Sequence, residues 1–209
     1  MRMTHQIYKY LDFCFKTNFI DAPKIDKKDL DYYIEIAIKQ SLIDFNIKFK
    51  NKNCTFYEKD VLSLIQSDPT LESVFYYRLE RQLFLNNKEN PLLGYLASLM
   101  KRRTGSEIYY STEIAKGFNI QHGFDIVIGP RYLIGENFTI HQGVTLGQKN
   151  LNSPDEKITI GNSVTIFAGA KILGNITIGD NSMVAANAVI ISDIEPNSIY
   201  GGIPGKRLK

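Results

Sequence analysis

The sequence predicts an α+β chain, with an N-terminal α-helical domain over residues 1–104 and a parallel β-solenoid over residues 105–209. Three observations carry that reading. Apolar residues before Gly105 recur at helical spacing, aliphatic residues after it recur at every sixth position, and glycine follows many of those sixth positions. The 209 residues are 44% hydrophobic and 22% charged, ordinary values for a packed domain that exclude a wholly disordered chain.

In the first half, 27–45 carries Leu30, Ile34, Ile38, Leu42 and Ile43 close to one helical face. A second helix follows Asp60. A third opens at Asp68-Pro69, with proline in the first turn, and carries Leu71, Val74, Phe75, Arg78, Leu79 and Leu83. A fourth runs from about Pro91 to Lys101, Arg102 and Arg103, whose charges suit the negative end of a helix dipole. Gly105 then breaks the pattern.

After Gly105 the aliphatic markers are Ile108, Ile114, Ile120 and Ile126, then Ile128, Ile134, Ile140 and Leu146, then Ile160, Ile166, Ile172, Ile178, Val184 and Ile190. A second buried-type residue recurs four positions on, at Phe118, Phe124, Tyr132, Phe138, Val144, Val164, Ala170, Ile176 and Ala188. This period is neither helical nor alternating. It requires short parallel strands joined by tight turns, three hexads to a triangular coil, whereas a β-sandwich would alternate with turns every 8–12 residues. The shift between Ile126 and Ile128 predicts a local bulge. The gap from Leu146 to Ile160 predicts two hexads plus two residues or an extruded loop, and the polar stretch 148–157 is placed outside the coil.

Composition narrows the function classes. No apolar run approaches the ~20 residues of a membrane span. MRMTHQIYKYLDFCF has neither an uninterrupted apolar stretch nor a small-residue cleavage site, which predicts a cytoplasmic chain with no signal peptide. A net charge of +3 gives no argument for nucleic acid. Cys14 and Cys54 form no C-x-x-C pair, which fits a reducing compartment and predicts no thiolate metal site.

GFNIQHGFDIVIG (117–129), TIHQGVTLG (139–147), AGAKILGNITIGDNSMV (168–184), GGIPGKRLK (201–209) and SDPTLESVFYYRLERQL (67–83) resemble the serine acetyltransferase group of hexapeptide-repeat acyltransferases. The resemblance covers about residues 60–209. It implies a left-handed parallel β-helix, acetyl-CoA as donor and no metal. It also implies homotrimers with active sites between adjacent subunits, and pairing of trimers through the helical half is left open.

The resemblance assigns His122 as the general base that deprotonates an acceptor hydroxyl, a task suited to an imidazole with a pKa near 6.5. Asp125 departs from the pattern, where many relatives carry glycine. Such a base needs an orienting acceptor on its other nitrogen, and the resemblance puts Glu107 there, one methylene longer than the usual aspartate. His141 follows His122 by 19 residues, about one coil, so it is a candidate contact for the acceptor or the pantetheine, or else a polar residue of the outer face. Gly147 and Gln148 match the segment near the thioester carbonyl, where a backbone N–H would meet developing oxyanion charge. Coenzyme A maps onto Ala168, Gly169, Ala170 and Lys171, then Ala186, then the basic tail Lys206-Arg207, whose charges suit phosphates.

The acceptor is read from departures. Gln121 stands where serine acetyltransferases carry an acid, and Ser153-Pro154-Asp155-Glu156-Lys157 stands where they carry a basic Arg-His pair. Asp68 matches the acidic position that meets the acceptor, or serves as an N-terminal helix charge. A buried carboxylate without a cation is costly, so the expected acceptor is a sugar hydroxyl of a bacterial surface polysaccharide. Serine, in a serine O-acetyltransferase of cysteine biosynthesis, is the alternative. A non-catalytic scaffold and a zinc carbonic anhydrase are readings of other classes. The latter needs three histidines between subunits, and of His5, His122 and His141 only two lie in the repeats.

Overall fold

The computed structural model describes residues 2–18, 20–22, 27–149 and 158–209. The chain divides into two compact units, Met1–Gly105 and Ser106–Lys209. Among the described residues, no helix is long and apolar enough to cross a membrane.

The first unit holds α1 (Met3–Thr17), α2 (Lys27–Lys48), α3 (Val61–Ser67), α4 (Pro69–Asn86) and α5 (Leu92–Thr104). Helix α1 was not placed from apolar spacing. Its N-cap, Arg2, makes no side-chain capping bond, so the start signal is missing, yet Ile7, Tyr10, Leu11 and Cys14 bury one helical stripe. Helix α4 is the hub, packed by α2, α3 and α5. Asp68 caps it by accepting from the Thr70 N–H at 2.8 Å, and every residue from Thr70 to Glu80 is buried.

Burying charge in α4 requires partners. Arg78 donates to both carboxylate oxygens of Asp44, at 2.8 and 3.1 Å. Glu72 accepts from the Tyr10 hydroxyl at 2.7 Å and from Arg103 Nε at 2.5 Å. Glu80 is fully buried and its carboxyl oxygens have no hydrogen-bond partner, so burial pushes it well above the ordinary carboxylate range. Helix α5 ends at Gly105, whose φ of +68° is the left-handed cap that favours glycine.

The second unit is a stack of parallel coils with three faces. The first face orders β1 (Ser106–Ile108), β4 (Ile126–Ile128), β7 (Thr145–Gly147), β10 (Lys171–Leu173) and β13 (Val189–Ile190). The second orders β2 (Glu113–Ile114), β5 (Tyr132–Ile134), β8 (Ile158–Ile160) and β11 (Thr177–Ile178). The third orders β3 (Asn119–Gln121), β6 (Thr139–His141), β9 (Thr165–Ile166), β12 (Met183–Val184) and β14 (Ile199–Gly201), closed by an antiparallel β15 (Lys206–Arg207).

All fourteen markers are buried, none more than 4% exposed. Ile160 pairs with Ile178, a regular coil of 18 residues (178 less 160). Ile134 pairs with Ile160, so that coil takes 26 residues (160 less 134), eight more than the regular one. Of the loop placed at 148–157, residues 150–157 lie outside the described residues.

The phase shift at Ile126 is a lengthened corner. Ile108 pairs with Ile128, a coil of 20 residues (128 less 108). The corner between the third and first faces repeats a left-handed residue at Asp125, Gly143, Gly169 and Asn187, with φ of 55°, 70°, 73° and 57°. Gly143 N–H donates to the Phe124 carbonyl and Gly169 N–H to that of Gln142, which fixes Asp125 as the rung above Gly143. The two extra residues are therefore His122 and Gly123. Phe124, expected inside, is 69% exposed. The lengthened corner gives the inward place held by Val144, Ala170 and Ala188 to Ile126 and turns Phe124 outward.

Candidate active site

His122 sits where the regular corner has no residue. Its backbone is left-handed (φ 61°), and Gly123 and Asp125 follow with φ of 34° and 55°. A non-glycine residue is uncommon there, and three left-handed residues in four turn the His122 side chain out of the stack, where it is exposed. Ser106 Oγ donates to the Gly123 carbonyl at 3.3 Å, which ties this corner to β1. Glu107 is the middle residue of β1, half-buried and in register with Val127. The strand that carries the candidate orienting acid is thus bonded to the corner that carries the candidate base.

His141 ends β6, in register with Gln121. Its ring lies 6.3 Å from that of His122, centroid to centroid, and stacks on Phe167 at 5.0 Å with planes 30° apart. Burial pushes the His141 imidazole below its ordinary value, and the neighbouring His122 adds to the effect. Gln121 Nε2 donates to Asn119 Oδ1 at 3.2 Å.

Ala168, Gly169 and Ala186 lie on the same edge of the stack as His122, in the corners below it. Gly169 is confined there, since an added Cβ would meet Asn187 Oδ1 at 2.2 Å. Lys171 Nζ donates to the Gly143 carbonyl at 2.6 Å and to Thr145 Oγ1 at 3.0 Å, so the coil itself holds it.

Four expectations need correction or relocation. Ala170 is fully buried, its N–H donates to the Phe167 carbonyl and its carbonyl accepts from the Thr145 N–H, so its side chain is core and cannot line a cofactor groove. Gly147 and Gln148 lie at the far end of β7, toward the second face, so one chain does not bring them to the His122 corner. Arg207 pairs with Glu195, and Nε donates to the Lys209 carbonyl at 3.2 Å, while Lys206 is exposed beside it on β15. Asp68 belongs to the helical unit, as the cap of α4. Phe167 is the residue that sequence spacing missed. It follows the marker Ile166, and the 26-residue coil hid that it stands directly below His141.

Among the described residues, no group of three or more His, Cys, Asp or Glu side chains is placed to hold a metal ion. The geometry instead joins an exposed imidazole, a carboxylate strand and a small-residue corner on one edge of a β-helix. That arrangement belongs to the hexapeptide class of transferases, and residues 157–192 match the family model of the bacterial transferase hexapeptide with six repeats.

The relatives narrow the class. The chain is 33% identical over 172 residues to the serine acetyltransferase of Staphylococcus xylosus, covering 82% of this chain and 78% of the relative. It is 32% identical over 164 residues to that of Synechococcus elongatus, covering 78% of this chain and 65% of the relative, just under two thirds. Two structures of the Neisseria gonorrhoeae serine acetyltransferase, the second in complex with serine, superpose with TM-scores of 0.76 and 0.75 at 26% identity. They cover 90% of this chain and 74% and 78% of theirs. The chain belongs to the serine acetyltransferase family: its second unit is a left-handed parallel β-helix, and the protein is an acetyl-CoA-dependent O-acetyltransferase.

Proposed function

We propose that the acceptor is L-serine and that the chain transfers acetyl from acetyl-CoA to its hydroxyl in the cytoplasm. The observation that carries this is the match to the staphylococcal serine acetyltransferase across most of both chains. The sugar acceptor expected from the sequence rested on Gln121 and on residues 153–157. The latter lie outside the described residues, and the relatives favour the serine alternative.

His122 takes the hydroxyl proton as the serine oxygen attacks the thioester carbonyl carbon. The C–S bond then breaks, and His122 returns the proton to the departing sulfur, which leaves O-acetylserine and CoA. Glu107 steadies the imidazole and favours the cation formed on it. The small residues Ala168, Gly169 and Ala186 let the extended pantetheine approach the edge below His122, and exposed Lys206 suits a phosphate. Gly147 and Gln148 act at a neighbouring copy's His122, which is why this reading includes a homotrimer.

The test is thiol release from acetyl-CoA with L-serine and with a panel of sugars. Release with serine is expected, and release with a sugar but not with serine would restore the sugar acceptor. His122→Ala should lower turnover on the order of 10²- to 10⁴-fold while native mass stays that of a trimer. Full turnover in that variant would remove the base assignment.

A further inference from the structure

The outer face of the third sheet carries one ladder of side chains beside the His122 edge. It runs Gln121, His141, Phe167, Ala185, Gly201, as the strand register and the bonds from Phe167 N–H to the Val184 carbonyl and from Ala185 N–H to the Tyr200 carbonyl require. The rings stop at Phe167. Below it stand a methyl group and a hydrogen, and a Cβ added to Gly201 would come within 3.1 Å of the Ala185 Cβ. Phe167, 36% exposed, therefore forms a step, with the two imidazoles above, Ala185 directly below, and Leu208 packed over Gly201 beyond it.

We propose that His141, held in place by Phe167, is the group that binds the acceptor's carboxylate, so that the two imidazoles divide the acceptor between them. This rests on the serine reading above. In a hydroxy amino acid the hydroxyl and the carboxylate sit on neighbouring carbons, so a hydroxyl held at His122 puts the carboxylate close by. Asp125 would repel that charge. The Gln121 amide already donates to Asn119. His141, with its ring 6.3 Å from that of His122, offers an imidazole N–H at that place. Stacking on Phe167 fixes the ring before the acceptor arrives, which lowers the ordering cost of binding. His141 thereby supplies a donor to a carboxylate in a chain whose residues 153–157 lack the Arg-His pair. Phe167 is a positioning residue, acting through His141.

The experiment compares L-serine with its neutral methyl ester in the full-length protein. His141→Phe keeps the stack and removes the donor. It should raise KM for serine on the order of 10- to 100-fold with kcat nearly unchanged, and leave KM for the ester within about twofold of wild type. Phe167→Ala should raise KM for serine roughly 2- to 12-fold, and Phe167→Tyr, which restores a ring, should recover it. An equal loss on both acceptors, an unchanged KM for serine in His141→Phe, or failure of Phe167→Tyr to recover would overturn the proposal. Wild-type protein that releases no thiol with serine would instead overturn the acceptor reading on which it rests.

Discussion

His122 owes its position to a backbone that few residues adopt. The two-residue extension of the corner is readable from the sequence as a phase shift in the markers, but its outcome is not. Hexad counting put Phe124 inside because it lies four residues after Ile120. The ladder puts Ile126 there, because two more residues must turn the corner first. His141 was legible as a neighbour of His122, from spacing close to one coil. Its stacking on Phe167 was not, because the eight added residues between β7 and β8 hide the register. Solvent exclusion by that stack, reinforced by His122, holds the His141 imidazole below its ordinary value. The unfolded chain therefore binds the extra proton more readily. The stabilisation from a neutral His141 is present above a pH of about 6.5 and declines as pH falls below it. Titration of the ring by NMR should give a midpoint below about 6.5, and His122→Ala should move it upward by removing the neighbouring charge. A midpoint unmoved in that variant would separate the two rings electrically.

Among the helices, α4 was announced by Asp68-Pro69, because an N-cap carboxylate followed by proline is a strong local start signal. Helix α1, with no cap bond at Arg2, gave no such signal. What the sequence left invisible was that α4 would be buried along most of its length, charged residues included. The Asp44–Arg78 pair is nearly inaccessible, with side chains 1% and 7% exposed, so Asp44→Ala should cost about 3–5 kcal/mol in chemical denaturation by removing the carboxylate that balances a buried cation. Glu80 behaves in the opposite way. Burial pushes its carboxyl well above the ordinary carboxylate range, so its contribution is greatest below the unfolded value and is lost as pH rises through the folded one. Glu80→Leu should raise stability by about 1–3 kcal/mol at alkaline pH, and Glu80→Gln should flatten the decline of the melting temperature as pH rises. A melting curve insensitive to both changes would mean that the carboxyl finds a partner.

Across the whole molecule, the change of grammar at Gly105 coincides with the change of architecture, because a helical stripe and a hexad have incompatible periods. A stack of parallel strands leaves an open edge at its end, a template for unwanted pairing. The chain covers part of that edge with β15, antiparallel on β14, anchored by Arg207 on Glu195 and by Leu208 against Gly201. Removing residues 206–209 should increase light scattering on warming while leaving the far-ultraviolet spectrum close to that of the full chain. Scattering equal to the intact protein would show that this edge needs no cover.

The parallel third face also behaves as a ruler. Successive rungs stand about 4.8 Å apart, so the five steps from β3 to β15 set the His122 end and the basic tail apart by about 24 Å along the stack. Splicing in or cutting out one regular turn would alter that span by a single graduation and leave the chemistry at either end untouched. On the proposed donor site, the length of donor molecule that fits is counted in turns of the chain.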